Sequence, residues 1–187
     1  EIRLSLVGSE MCIRDRKKGA RSSEFEIAIQ WLLDRGLVYK VNRVNEPHMP
    51  LKAYKNMNAY KLFVLDVGLL GAMSELPAES ILEGNDIFVE FKGALTEQYV
   101  LQQLISDTPY TPYYYGNEKA TFEQDFLIQK AKSIVPIEVK AEQNIRSHSL
   151  KTYCEKFQPE EAVRFSTLKY KEQERMVNIP LYAVCNL

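Results

Sequence analysis

Three residues in the C-terminal half have the types and spacing that a metal-assisted phosphodiesterase needs. Asp125 lies in Phe122-Glu123-Gln124-Asp125-Phe126-Leu127-Ile128, and Ile137-Glu138-Val139-Lys140 follows about a dozen residues later. Both stretches read as neighbouring strands of one hairpin, with its turn near 130–133. Glu138 and Lys140 are two apart on a strand and share a face, while Ile137 and Val139 turn the other way, into a core. The hairpin would bring two carboxylates and an ammonium to one spot. A hard cation such as Mg²⁺ is held by carboxylate and water oxygens, and a nearby Lys can hold the attacking water or the phosphate. Two carboxylates buried together are costly unless a cation or a Lys neutralises them. The same side chains also fit a plain structural ion pair with a spare carboxylate. A second E-x-K triplet, Glu90-Phe91-Lys92, falls inside an expected helix and reads as a solvated face.

The elements that must position these residues follow from periodicity. Residues 22–35 read as a helix, capped by Ser22 or Ser23, with Glu24 and Glu26 in its first turn. Ile27, Trp31 and Leu32 give it helical spacing, and Trp31 is expected in the core. Gly36 ends it, and residues 37–44 alternate apolar and polar side chains as a half-buried strand does. Pro47 and Pro50 mark a loop, residues 60–67 form a second strand, and the apolar run Gly68-Leu69-Leu70-Gly71-Ala72-Met73 follows. A helix and a two-stranded ribbon are what remains of a winged helix-turn-helix without its first helices. This helix offers Glu24, Glu26, Gln30 and Asp34, a poor set for reading DNA, so a packing or docking role is expected of it.

Residues 77–85 read as a linker between a segment at 17–85 and a lobe at 86–187. Residues 86–106 carry the longest helical pattern, with Phe88, Phe91, Leu95, Leu101, Leu104 and Ile105 on one side. Strands follow at 111–116, 123–130 and 134–140, then a helix at 147–157 and strands at 162–166 and 180–185. The order α-β-β-β-α-β defines an α/β lobe with a mixed sheet. Tyr110, Tyr113, Tyr114 and Tyr115 are expected to alternate between sheet core and surface, with base stacking as the alternative.

Charge excludes a global attraction to nucleic acid or membrane: the 187 residues carry a net −1. Residues 17–85 hold nine basic and eight acidic side chains, and 86–187 hold 12 and 14. Affinity for DNA must therefore come from local clustering. Lys130, Lys132, Lys140, Arg146, Lys151 and Lys156 bunch after the acidic strand, as a solvated surface or as a rim that follows phosphates. No run approaches the roughly 18 apolar residues of a membrane span. Cys12, Cys154 and Cys185 are scattered, without C-x-x-C spacing, which points to a reducing, cytoplasmic setting. His48 and His148 have no partner ligands in the sequence and receive no role.

The N-terminus is set aside. Leu6-Val7-Gly8-Ser9-Glu10-Met11-Cys12-Ile13-Arg14-Asp15 resembles a translated transposon-type sequencing adaptor; CTC GTG GGC TCG GAG ATG TGT ATA AGA GAC encodes it without a mismatch. Residues 1–16 are accordingly expected to be an assembly artefact, and the chain a fragment of a longer gene product.

The hairpin residues and the αβββαβ order resemble the PD-(D/E)XK nuclease superfamily. From about Lys17 onward the chain is similar to the C-terminal region of a family of prokaryotic AAA-type ATPases of unknown function. In that family a P-loop domain precedes a winged helix and a PD-(D/E)XK-like domain. The resemblance is carried by Gln30-Trp31-Leu32-Leu33-Asp34-Arg35-Gly36-Leu37-Val38-Tyr39, Pro50-Leu51-Lys52-Ala53-Tyr54, Lys61-Leu62-Phe63-Val64-Leu65-Asp66-Val67-Gly68-Leu69-Leu70, Gly93-Ala94-Leu95-Thr96-Glu97-Gln98-Tyr99-Val100 and Pro136-Ile137-Glu138-Val139-Lys140. It implies that Asp125 and Glu138 ligate Mg²⁺ or Mn²⁺, with Glu97 of the first core helix joining directly or through water. Lys140 would orient the nucleophilic water, and Lys151 on the following helix would reach a phosphate. DNA is the implied partner, together with an upstream ATPase domain. No GxxxxGK[ST] occurs in this chain, so ATP would bind only in that upstream domain. One departure stands out: Gln124 replaces the apolar residue usual before the strand-two acid.

Overall fold

The computed structural model describes residues 2–4, 25–75, 77, 79, 86–116, 122–141 and 148–187, with backbone alone at 2–4 and 86–90. It is an α/β protein. The strands are β1 (Ile2–Leu4), β2 (Val38–Val44), β3 (Lys55–Val64), β4 (Tyr113–Gly116), β5 (Glu123–Lys130), β6 (Ser133–Lys140), β7 (Ala162–Ser166), β8 (Lys171–Gln173) and β9 (Met176–Pro180). The α-helices are α1 (Glu26–Asp34), α2 (Val67–Met73), α3 (Asp86–Asp107) and α4 (His148–Phe157). Two 3₁₀ turns, Leu51–Tyr54 and Leu181–Asn186, complete the elements.

The chain forms two compact units, residues 1–41 with 58–99, and residues 42–57 with 100–187. These divisions differ from the expected 17–85 and 86–187. Residues 42–57 fold with the C-terminal unit, and α3 begins in one unit and ends in the other. The expected caps Ser22 and Ser23 lie outside the described residues, as do most of 77–85.

In the first unit, Ile29 of α1 and Tyr60 and Leu62 of β3 form a small core, joined by Phe25, Leu33 and Val38. A second cluster gathers Val64, Leu70 and Phe91 with Leu69, Ala94 and Leu95. The strand expected at 60–67 runs instead from Lys55 to Val64, and the apolar run 68–73 belongs with Val67 to the helix α2. Asp66 starts it by accepting the Leu69 N–H at 2.7 Å, an N-cap bond that satisfies one of the helix's free donors. Trp31 corrects another expectation: it is 54% exposed. Ile29 and Leu33 occupy the inward stripe of α1, which turns Ile27 and Trp31 outward.

The second unit is built on a mixed sheet. β4, β5 and β6 run antiparallel in sequence order, β6 pairs parallel with β7, β7 pairs parallel with β9, and β8 closes the edge against β9. The end of β2 lies parallel to β4 through Arg43 opposite Tyr114 and Val44 opposite Tyr115. The element order α3-β4-β5-β6-α4-β7 matches the expected α-β-β-β-α-β. One face of the sheet carries Val44, Leu51, Tyr113, Tyr115 and Leu127 against Tyr153 of α4. Tyr113, Tyr114 and Tyr115 are all buried, so this strand is covered on both faces rather than alternating to solvent. Residues 180–185 do not form the expected strand. β9 ends at Pro180, and a 3₁₀ turn follows.

Candidate functional site

The β5–β6 hairpin sets the geometry of the site. Its register runs from Phe126 opposite Ile137 to Lys130 opposite Ser133, leaving Ala131 and Lys132 as the turn. Ala131 has φ 52°, and the Ser133 hydroxyl donates to the Lys130 carbonyl at 3.1 Å. Ile137 is fully buried, as strand alternation requires. Glu138 takes the opposite face and is itself 3% exposed. Lys140 donates to Glu138 Oε1 at 2.7 Å; its side chain is 31% exposed where that of Glu138 is 4%. The pair therefore has a buried carboxylate end and a wetter ammonium end.

A β-bulge decides which residue stands beside Glu138. Tyr113 and Tyr115, two apart on β4, pair with Leu127 and Gln124, three apart on β5, so β5 carries one extra residue at Asp125–Phe126. A bulge re-aims side chains and leaves one residue out of the ladder. Gln124, fully buried, consequently points its amide toward β6. Its Nε2 donates to the Ile137 carbonyl at 2.6 Å and to Glu138 Oε2 at 3.3 Å. Asp125 instead accepts the Val139 backbone N–H through Oδ2 at 2.7 Å. The Gln124 Oε1 is buried without a hydrogen-bond partner.

On the other side of β6, Glu138 is in register with Arg164 and Lys140 with Ser166. Arg164 is 4% exposed, and its Nε donates to Asn178 Oδ1 at 3.0 Å, an oxygen that also accepts from the Ser166 hydroxyl at 2.8 Å. Burial pushes the Arg164 guanidinium below its usual arginine range, and the Glu138 carboxylate pushes it back. Gln124, singled out in the sequence as a departure, is thus joined by Arg164, Ser166 and Asn178, polar surroundings that sequence reading missed. Period-two alternation from Glu138 across β7 could have found Arg164, since both lie on polar positions of buried strands.

The other predicted residues have ion-pair partners of their own. Glu97, on α3 in the first unit, accepts from Lys61 Nζ at 2.9 Å, with side chains 19% and 7% exposed respectively. Lys151 is exposed on α4 and meets Glu155 one turn on at 3.8 Å. Of the other basic residues in the bunch, Lys130 meets Glu161 at 3.5 Å and Lys156 donates to the Tyr115 hydroxyl at 3.3 Å. Arg146 lies outside the described residues. The structure thus brings Glu138, Lys140 and Asp125 onto one hairpin, and gives Glu97 and Lys151 partners of their own. Among the described residues, no group of three or more His, Cys, Asp or Glu side chains could hold a metal ion.

A divalent cation would have to compete with donors already in place here. Glu138 Oε1 is taken by an ammonium, Oε2 faces an amide N–H, and Asp125 Oδ2 is taken by a backbone N–H. A hard cation needs those lone pairs for itself.

Residues 92–184 match DUF4143, a domain of unknown function. Residues 7–80 match DUF8612, also a domain of unknown function, and that match includes residues 7–16 of the adaptor-like segment. DUF4143 domains are commonly found in AAA ATPase-associated proteins. No curated protein and no solved structure matches the chain. Among the described residues, no helix is long and apolar enough to cross a membrane.

Proposed function

We propose that the DUF4143 region is a nuclease-like, PD-(D/E)XK-related module of an AAA-type ATPase that docks the ATPase on a partner without cleaving DNA. The carrying observation is that protein N–H donors face both oxygens of Glu138, with the Gln124 amide where a second carboxylate would be needed. The internal cations Lys140 and Arg164 neutralise Glu138 in place of a metal. The association of DUF4143 with AAA ATPases supports the ATPase context. The near-balanced charge of residues 86–187 favours a protein partner over DNA.

A second reading, Mg²⁺- or Mn²⁺-dependent DNA hydrolysis centred on Asp125, Glu138 and Lys140, is favoured by one observation. Gln124 Oε1 is a buried acceptor without a donor beside Glu138, and such an atom usually signals a missing water, ion or ligand. Two measurements separate the readings: Mn²⁺ calorimetry, and cleavage of labelled single- and double-stranded DNA, each beside Glu138→Ala. The docking reading expects no Mn²⁺ heat and no cleavage from either protein. Cleavage that disappears in Glu138→Ala would overturn it.

A further inference from the structure

The second unit carries a cleft of about 260 Å³, set between the loop after β2, the β5–β6 turn and the end of α4. Asp125, Glu138 and Lys140 are not among its walls. Pro47, Met49, Ile134, Phe157 and Pro159 stand around it with Tyr153. The Tyr153 and Phe157 ring centroids are 4.8 Å apart with their planes tilted by 46°, so two aromatic rings meet at the cleft.

Tyr153 is the informative wall. It is 1% exposed, and a phenol so buried ordinarily finds a hydrogen-bond partner. Its hydroxyl has none among the described residues. Gln124 Oε1 is the fully enclosed side-chain polar atom without a partner among those residues, so the Tyr153 hydroxyl is not sealed and opens onto the cleft that Tyr153 lines. Burial pushes this phenol far above its usual value, so it meets a ligand as a neutral donor. The rim gives no preference for charge. Exposed Lys132 and Glu160 carry opposite signs, and His48 already lies 3.4 Å from Glu46. The volume falls below the roughly 300–1,000 Å³ of sites for drug-sized molecules, which limits the occupant to about one ring.

We propose that this cleft binds a neutral, single-ring aromatic compound carrying one hydrogen-bond acceptor. The ring packs against Phe157 and Met49, since aromatic rings and thioethers are favourable neighbours for an aromatic ring. The acceptor takes the Tyr153 O–H. The proposal does not depend on the docking reading above, because the two use different residues.

The probes are acetophenone, which has a carbonyl beside its ring, and α-methylstyrene, the same shape with a methylene in place of the oxygen. Binding to the 187-residue chain is followed through isoleucine methyl resonances, with Ile134 as the reporter in the cleft and Ile29 of the first unit as the control. The expected result is a saturable shift of Ile134 with Ile29 unmoved, and a Kd for acetophenone below about 1 mM. Tyr153→Phe deletes one oxygen and should lower the ratio of acetophenone to α-methylstyrene affinity about fivefold. Met49 is 44% exposed, so Met49→Trp should fill the cleft without disturbing the core and abolish both shifts. It decides the site even if Tyr153→Phe fails to fold, and unchanged circular dichroism verifies each variant. No saturable shift with acetophenone, an unchanged affinity ratio in folded Tyr153→Phe, or binding that survives Met49→Trp would each overturn the proposal.

Discussion

Among the described residues, each unit holds a buried Lys–Glu pair, and the two are built in opposite senses. In the first unit the ammonium of Lys61 is the deeply buried end, 7% exposed against 19% for Glu97. In the second unit the carboxylate of Glu138 is the buried end, 4% exposed against 31% for Lys140. The buried ammonium reaches its carboxylate partner across 36 residues of sequence. The buried carboxylate sits among Lys140, Gln124 and Arg164, a surplus of donors. The first pair is deepest at its cation, and the second holds its cation toward water from a buried carboxylate.

This difference can be tested by removing one partner at a time. Glu97→Ala should be the most damaging, about 3–5 kcal/mol, because it takes a carboxylate partner from a buried ammonium. Lys140→Ala should cost less, about 2 kcal/mol, because its own side chain is partly solvated and Arg164 still faces Glu138. Urea midpoints of the two variants measure both, and equal losses would erase the distinction drawn here.

Alkaline pH probes the same units through their tyrosines. Burial raises the Tyr153 hydroxyl far above its usual value, with Cys154 and Tyr115 adding to the shift. Tyr113, by burial, and Tyr60, by burial and then Glu26, are raised as well. A raised folded pKa means that the folded state keeps its proton after the unfolded state has lost it. The stability from these groups is fully present below about pH 10 and falls as pH rises beyond it. Urea midpoints that fall above about pH 10, with a shallower fall in Tyr153→Phe, are the expected result. The smallest effect belongs to the hairpin turn. Ala131→Gly relieves a left-handed residue at φ 52° and should stabilise by about 0.5–1 kcal/mol, read from the thermal midpoint.

Much of the second unit was legible in the sequence. The apolar–polar patterning of 123–130 and 134–140, with a turn near 130–133, specified a hairpin, and the E-x-K spacing put Glu138 and Lys140 on one face. The bulge at Asp125–Phe126 was not legible, since one inserted residue leaves no compositional trace yet exchanges which side chain meets Glu138. Gln124 had stood out only as a departure from the family pattern, and the bulge gives that departure its physical meaning. Tyr182-Ala183-Val184-Cys185 alternates like a strand, but Pro180 ends the ladder before it. In the first unit, Trp31 was misjudged because residue type was allowed to outweigh helical phase: Ile29 and Leu33 already filled the inward stripe.

The strands β2 and β3 each begin in one unit and end in the other. Val44 and Leu51, contributed from that stretch, sit in the core of the second unit beside Tyr115, Leu127 and Tyr153. A gene segment cut at the apparent linker would leave those two side chains behind and open the core it meant to carry. A piece meant to carry the whole core of the second unit therefore has to include residues 42–57 as well.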